Sequence, residues 1–116
     1  MRRTRIVLAS IISAAFIMIV FSVNVSAAEP DGKVLYEKNN CKMCHGVDGA
    51  SVQKTADMLK IDLSKLNLID KETADKKDDE LAKTVTDGAG KMKGFKAKMS
   101  VDEVTAILKY VRSLKK

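Results

Sequence analysis

Two cysteines and the chain's only histidine fall within five residues, Cys41-Lys42-Met43-Cys44-His45. Thiols at i and i+3 leave a helical turn on the same side, so both can reach two vinyl groups on one edge of a porphyrin. The imidazole that follows directly is then held under the centre of the ring, where a nitrogen can bind iron. C-x-x-C-H is the spacing of covalent haem attachment. The residues therefore predict one haem c per chain, bonded through Cys41 and Cys44, with His45 as proximal axial ligand.

Other uses of these residue types fit less well. A thioredoxin-like C-x-x-C pair expects a βαβ setting, and no strand-rich pattern surrounds the motif. A structural zinc site takes four ligands, and Cys41, Cys44 and His45 are the only Cys or His residues in the chain. A disulfide would explain the cysteines but not the adjacent histidine.

The motif has to be carried by helices. Asp31 is placed to cap a first helix from Gly32 to about Asn40, with Pro30 ahead of it, running directly into Cys41. Gly46-Val47-Asp48-Gly49 reads as a turn. A short helix is expected near Gln53–Leu59, with Met58 in its apolar patch, followed by an irregular wrap. From Asp75 to Asp87 the pattern is helical again: Asp75 or Asp78 would cap it, Leu81 and Val85 stack at i and i+4, and Gly88 ends it. The last helix opens with a capping box at Ser100-Val101-Asp102-Glu103. Its apolar stripe is Val101, Val104, Ile107, Leu108, Val111 and Leu114. No β-hairpin signal or internal repeat is present, so the expected fold is all-α, a single small domain with helices wrapped around one covalently attached haem.

Residues 1–28 are read separately. Arg2, Arg3 and Arg5 precede an apolar run from Ile6 to about Val23, and Ser26-Ala27-Ala28 supplies small residues ahead of Glu29. That is the layout of a secretory signal peptide, with cleavage before Glu29 or one residue earlier. The competing reading is an uncleaved membrane anchor, since the apolar run exceeds the usual length of roughly 7–15 residues. Either way residues 29–116 form the domain, in a periplasmic or otherwise extracytoplasmic setting, and contact with the membrane requires the uncleaved form. Removing residues 1–28 takes three arginines and none of the fifteen acids, so the charge falls from +6 to +3 over the remaining 88 residues. Nucleic-acid binding is not expected from so small a surplus. A domain of this size gains from an internal staple, which a large apolar disc fixed by covalent bonds would provide.

With a single histidine, the sixth iron ligand must be methionine, lysine, water or an external group. Met43 lies between the cysteines on the proximal side, Met58 is assigned to core packing, and Met99 precedes the N-cap Ser100 as a hydrophobic staple against Val104. Met92 is the candidate, in the glycine-rich loop Gly88-Ala89-Gly90-Lys91-Met92-Lys93-Gly94-Phe95. Lys91 or Lys93 would first have to lose a proton. A five-coordinate iron stays open as the alternative.

Along nearly its whole mature length the chain resembles the small class I c-type cytochromes, similar to the bacterial c6, c-551 and c-553 types. Gly32 and Tyr36 match the glycine and aromatic residue of the family's first helix. Ile107 and Tyr110 match their crossing partners on the last, and Met92, Phe95 and Ser100 match the axial-methionine loop leading into it. Two departures carry implications. Lys93 stands where proline usually follows the ligand methionine, which implies a less rigid loop and a more labile iron–sulfur bond. No proline follows the haem motif, so a different backbone carbonyl must accept the second N–H of His45.

Histidine and methionine ligation raises a haem potential and leaves no open position for substrate. The expected task is one-electron transfer, cycling Fe(III) and Fe(II) between redox proteins, by a monomer that is not an enzyme. Lys91, Lys93, Lys96 and Lys98 form either a positive collar that steers docking onto acidic partners or a merely solubilising surface. Asp75, Asp78, Asp79 and Glu80 read as a solvated helix start. If Met92 does not bind, the alternatives are a small-ligand sensor or weak peroxidase; a haem subunit of a larger oxidoreductase is a third reading.

Overall fold

The computed structural model describes residues 28–115. The signal or anchor segment lies outside the described residues, apart from Ala28.

Asp31 has extended backbone angles, and its Oδ1 accepts from the N–H groups of Lys33 (2.9 Å) and Val34 (3.2 Å). Helix α1 (Gly32–Lys38) starts there and buries Leu35 and Tyr36. Asn40 turns the chain with φ of +59° into α2 (Lys42–His45), a single turn. Helix α3 (Gln53–Leu59) follows and ends at Lys60, which adopts the left-handed conformation with φ of +55°.

Helix α3 buries Thr55 and Ala56, while Met58 is 71 % exposed. The expected core role for Met58 is therefore wrong. The inner face of so short a helix runs through Val52, Thr55, Ala56 and Leu59, and residue 58 falls off it.

The stretch beyond α3 holds more structure than the irregular wrap expected. A 3-10 turn (Leu63–Leu66) is capped by Asp62, and α4 (Lys71–Asp75) by Asp70, whose Oδ1 accepts from the Thr73 N–H at 2.9 Å. Helix α5 (Asp78–Asp87) is separate from α4. Neither Asp75 nor Asp78 is an N-cap: Asp75 closes α4, Asp78 opens α5, and the Glu80 carboxylate accepts from the Lys77 N–H at 3.1 Å. The break between these helices is fixed from outside. The Arg112 guanidinium donates to the carbonyls of Thr73 (3.1 Å), Ala74 (3.2 Å) and Lys76 (2.6 Å) and to the Asp78 carboxylate.

After α5 a small hairpin forms where none was expected. Strands β1 (Gly88–Ala89) and β2 (Met92–Lys93) pair antiparallel, Gly88 with Lys93 and Ala89 with Met92. Helix α6 (Val101–Leu114) then opens on the predicted capping box: the Ser100 N–H donates to Glu103 Oε2 at 2.8 Å, and the Glu103 N–H to Ser100 Oγ at 3.2 Å. Val104, Ile107, Leu108 and Val111 are buried, but Val101 is 80 % exposed and leaves the predicted stripe. Gly32 of α1 meets α6 at Ala106 and Tyr110, more than a full turn beyond Val101.

The core lies between α1 and α6. Leu35, Tyr36, Met99, Val104, Ala106, Ile107, Leu108 and Val111 are buried in one cluster, with Leu81, Val85 and Phe95 packed against it. Met99 and Val104 share it, as a staple requires. Among the described residues no helix is long and apolar enough to cross a membrane.

Candidate haem site

Cys41 has right-handed helical angles and directly precedes α2, so Cys41 and Cys44 stand one turn apart, each half-buried. The Cys41 N–H donates to the Tyr36 carbonyl at 3.0 Å, and the His45 N–H to the Cys41 carbonyl at 3.0 Å. The end of α1 thus sets the position of the motif. Both thiols are free, so the disulfide reading fails. Burial pushes the Cys41 thiol up and keeps it protonated.

His45 lies 2.8 Å through Nδ1 from the carbonyl oxygen of Leu66. A carbonyl can only accept, so Nδ1 carries the proton and Nε2 keeps its lone pair. Burial also lowers the pKa of His45, holding the ring neutral. A neutral imidazole anchored at Nδ1 is a ready axial ligand. Leu66 supplies the carbonyl that the missing proline left unassigned. It can do so because it ends the 3-10 turn, where carbonyls lack partners within the helix.

The backbone after His45 is held from the helix crossing. The Tyr36 hydroxyl donates to the Gly46 carbonyl at 2.7 Å, and the Tyr110 hydroxyl to the Val47 carbonyl at 3.3 Å. The two rings meet edge to face, with centroids 5.3 Å apart at 64°. Their approach depends on Gly32, where a Cβ would lie 2.0 Å from the Ala106 carbonyl oxygen and 2.9 Å from Tyr110 Cβ. Gly32, Tyr36, Ile107 and Tyr110 therefore gather at the α1–α6 crossing and connect it to the segment following the proximal histidine. Thr55 closes the other side, its hydroxyl donating to the Met43 carbonyl at 2.6 Å.

Met92 occupies a different part of the chain, half-buried on β2, and Lys91, Lys93, Lys96 and Lys98 around it are all exposed. Among the described residues no group of three Cys, His, Asp or Glu side chains could hold a metal ion by itself. Paired thiols one turn apart with an anchored neutral imidazole beside them instead suit a metal delivered inside a porphyrin.

The sequence model of the cytochrome c family matches residues 30–115. The chain belongs to the cytochrome c family. Among solved structures it is similar to the KustC0563 c-type cytochrome, at 32 % identity and a TM-score of 0.61, covering 75 % of this chain and all of that one. No curated protein matches. The all-α fold is that of a small class I cytochrome c. Family membership makes the chain an electron-transfer protein carrying covalently bound haem c, and Cys41 and Cys44 stand in the C-x-x-C-H positions of the cytochrome.

Sequence reasoning missed Leu66, because every residue has a carbonyl and nothing in its side chain marks the one that will be used. It also missed Thr55 and Arg112.

Proposed function

We propose that this cytochrome is a monohaem one-electron carrier between extracytoplasmic redox proteins, with His45 and Met92 as the axial pair. The observation that carries the reading is the His45 ring, neutral and fixed at Nδ1 by Leu66, directly after the two thiols. Bound haem supplies an iron that accepts and releases a single electron. The chain's own residues hold that centre still. Leu66 orients the imidazole, and Tyr36 and Tyr110 tether the backbone after it.

A thioether opposite an imidazole favours the reduced iron and fills the last position, which suits a carrier and leaves no room for substrate. Met92 is the methionine whose surroundings support this role, since Met99 is buried in the α1–α6 cluster, Met43 lies between the thiols, and Met58 is on α3, which Thr55 ties to the Met43 carbonyl on the motif side. One C-x-x-C-H motif supports one haem. The arginine-led apolar start supports export, and Lys91, Lys93, Lys96 and Lys98 support docking onto acidic partners.

The test is optical. The ferric protein should show the weak near-infrared sulfur–iron charge-transfer band, and the ferrous protein should not take up carbon monoxide. Met92→Ala should abolish the band and admit carbon monoxide. If the band survives in Met92→Ala, or the unsubstituted ferrous protein binds carbon monoxide readily, the axial assignment is wrong.

A further inference from the structure

The segment carrying Met92 lacks the stiffening proline, yet its backbone is tied at both ends to the same helix terminus. Gly88, at φ of +81°, ends α5 with its N–H on the Thr84 carbonyl. The chain passes through the hairpin and returns to that end of the helix. There the Phe95 N–H donates to the Val85 carbonyl at 2.9 Å and the Lys96 N–H to the Thr86 carbonyl at 3.0 Å. Those carbonyls belong to the last turn of α5, where a helix has no partners of its own. The Phe95 carbonyl in turn accepts from the N–H groups of Lys98 (2.8 Å) and Met99 (3.0 Å), closing a turn just ahead of α6.

Such a return needs two places without side chains. A Cβ at Gly94 would lie 2.6 Å from the Thr86 carbonyl oxygen, 2.7 Å from the Asp87 carbonyl carbon and 2.8 Å from its oxygen. A Cβ at Gly88 would lie 2.6 Å from the Met92 carbonyl oxygen and 2.7 Å from the Gly94 nitrogen. All of these are backbone atoms, and they cannot move aside without opening the pairing. At the hairpin tip, by contrast, a Cβ on Gly90 meets nothing within 4 Å.

We infer that Gly88 and Gly94 are positioning residues for Met92, letting the hairpin lock onto the end of α5 and take the place of the proline restraint. Swinging Met92 away would then require opening the bonds from Phe95 and Lys96, a local unfolding rather than a loop motion. This inference rests on Met92 being the axial ligand.

The experiment titrates the ferric haem-loaded protein with imidazole, which must displace the sixth ligand to bind. Gly94→Ala should raise imidazole affinity by about tenfold or more and weaken the near-infrared band. Gly90→Asn, which accepts a left-handed backbone, should stay within about twofold of the unsubstituted protein. An unchanged affinity in Gly94→Ala overturns the inference. If that variant fails to take up haem, hydrogen exchange in the unsubstituted holoprotein decides. Phe95 and Lys96 amides protected as well as those of α5 support the lock, and amides exchanging like open loop overturn it. Persistence of the band in Met92→Ala would instead remove the ligand assignment, whatever the glycine variants show.

Discussion

Tyr36 is 1 % exposed, and its ring fills the helix crossing while its hydroxyl reaches the Gly46 carbonyl. Burial raises its pKa far above the usual phenol range, so it remains a donor at any working pH. Tyr36→Phe keeps the ring and removes the shorter of two donors, leaving the buried Gly46 carbonyl with only the long 3.4 Å bond from the Gly49 N–H. The expected loss is about 1–2 kcal/mol in denaturant unfolding of the holoprotein, with no change in the visible spectrum of the reduced haem. A stability unchanged by the substitution would mean that the Gly46 carbonyl finds water instead. At this scale the cofactor-bearing residues were legible, because C-x-x-C-H encodes a reach and a ligand in five consecutive positions. The acceptor for His45 was not legible, since Leu66 acts through its main chain alone.

Among the elements, α1, α3 and α6 were readable from caps and apolar spacing, which are local properties. Helix α4 and the hairpin were not. Five residues without an apolar stripe give no periodic signal, and α4 exists because Asp70 caps it and Arg112 gathers its carbonyls. The cap makes α4 acid-sensitive. The Thr73 backbone N–H chiefly holds the Asp70 carboxyl below the ordinary carboxylate range. With the folded value depressed, its stabilising effect is complete above the unfolded value of about pH 4 and is lost as pH falls through the folded one. Asp70→Asn keeps an oxygen acceptor that does not titrate. Its stability should match the parent near neutral pH and fall less steeply below about pH 4. Denaturant curves at neutral and acid pH measure this, and parallel slopes for the two proteins would remove Asp70 from the acid response.

For the whole molecule, Arg112 joins α6 to the α4–α5 junction through three carbonyls and a carboxylate. A lysine cannot span that fan of acceptors. Arg112→Lys should therefore cost about 1–3 kcal/mol in thermal or denaturant unfolding despite keeping the charge. Recovery of full stability by lysine would show that charge alone suffices. The four exposed lysines around Met92 act at longer range. If they steer docking, electron exchange with an acidic partner should slow as salt rises, and most steeply below about 0.1 M, where screening is weakest. A rate indifferent to salt would leave them as solubilising groups.

The contact at Gly32 has a consequence for the order of assembly. The first helix rests on the last, so a growing chain has no closed interior until residues near Ala106 arrive. Up to that moment α1, which leads directly into Cys41, lacks its main packing partner.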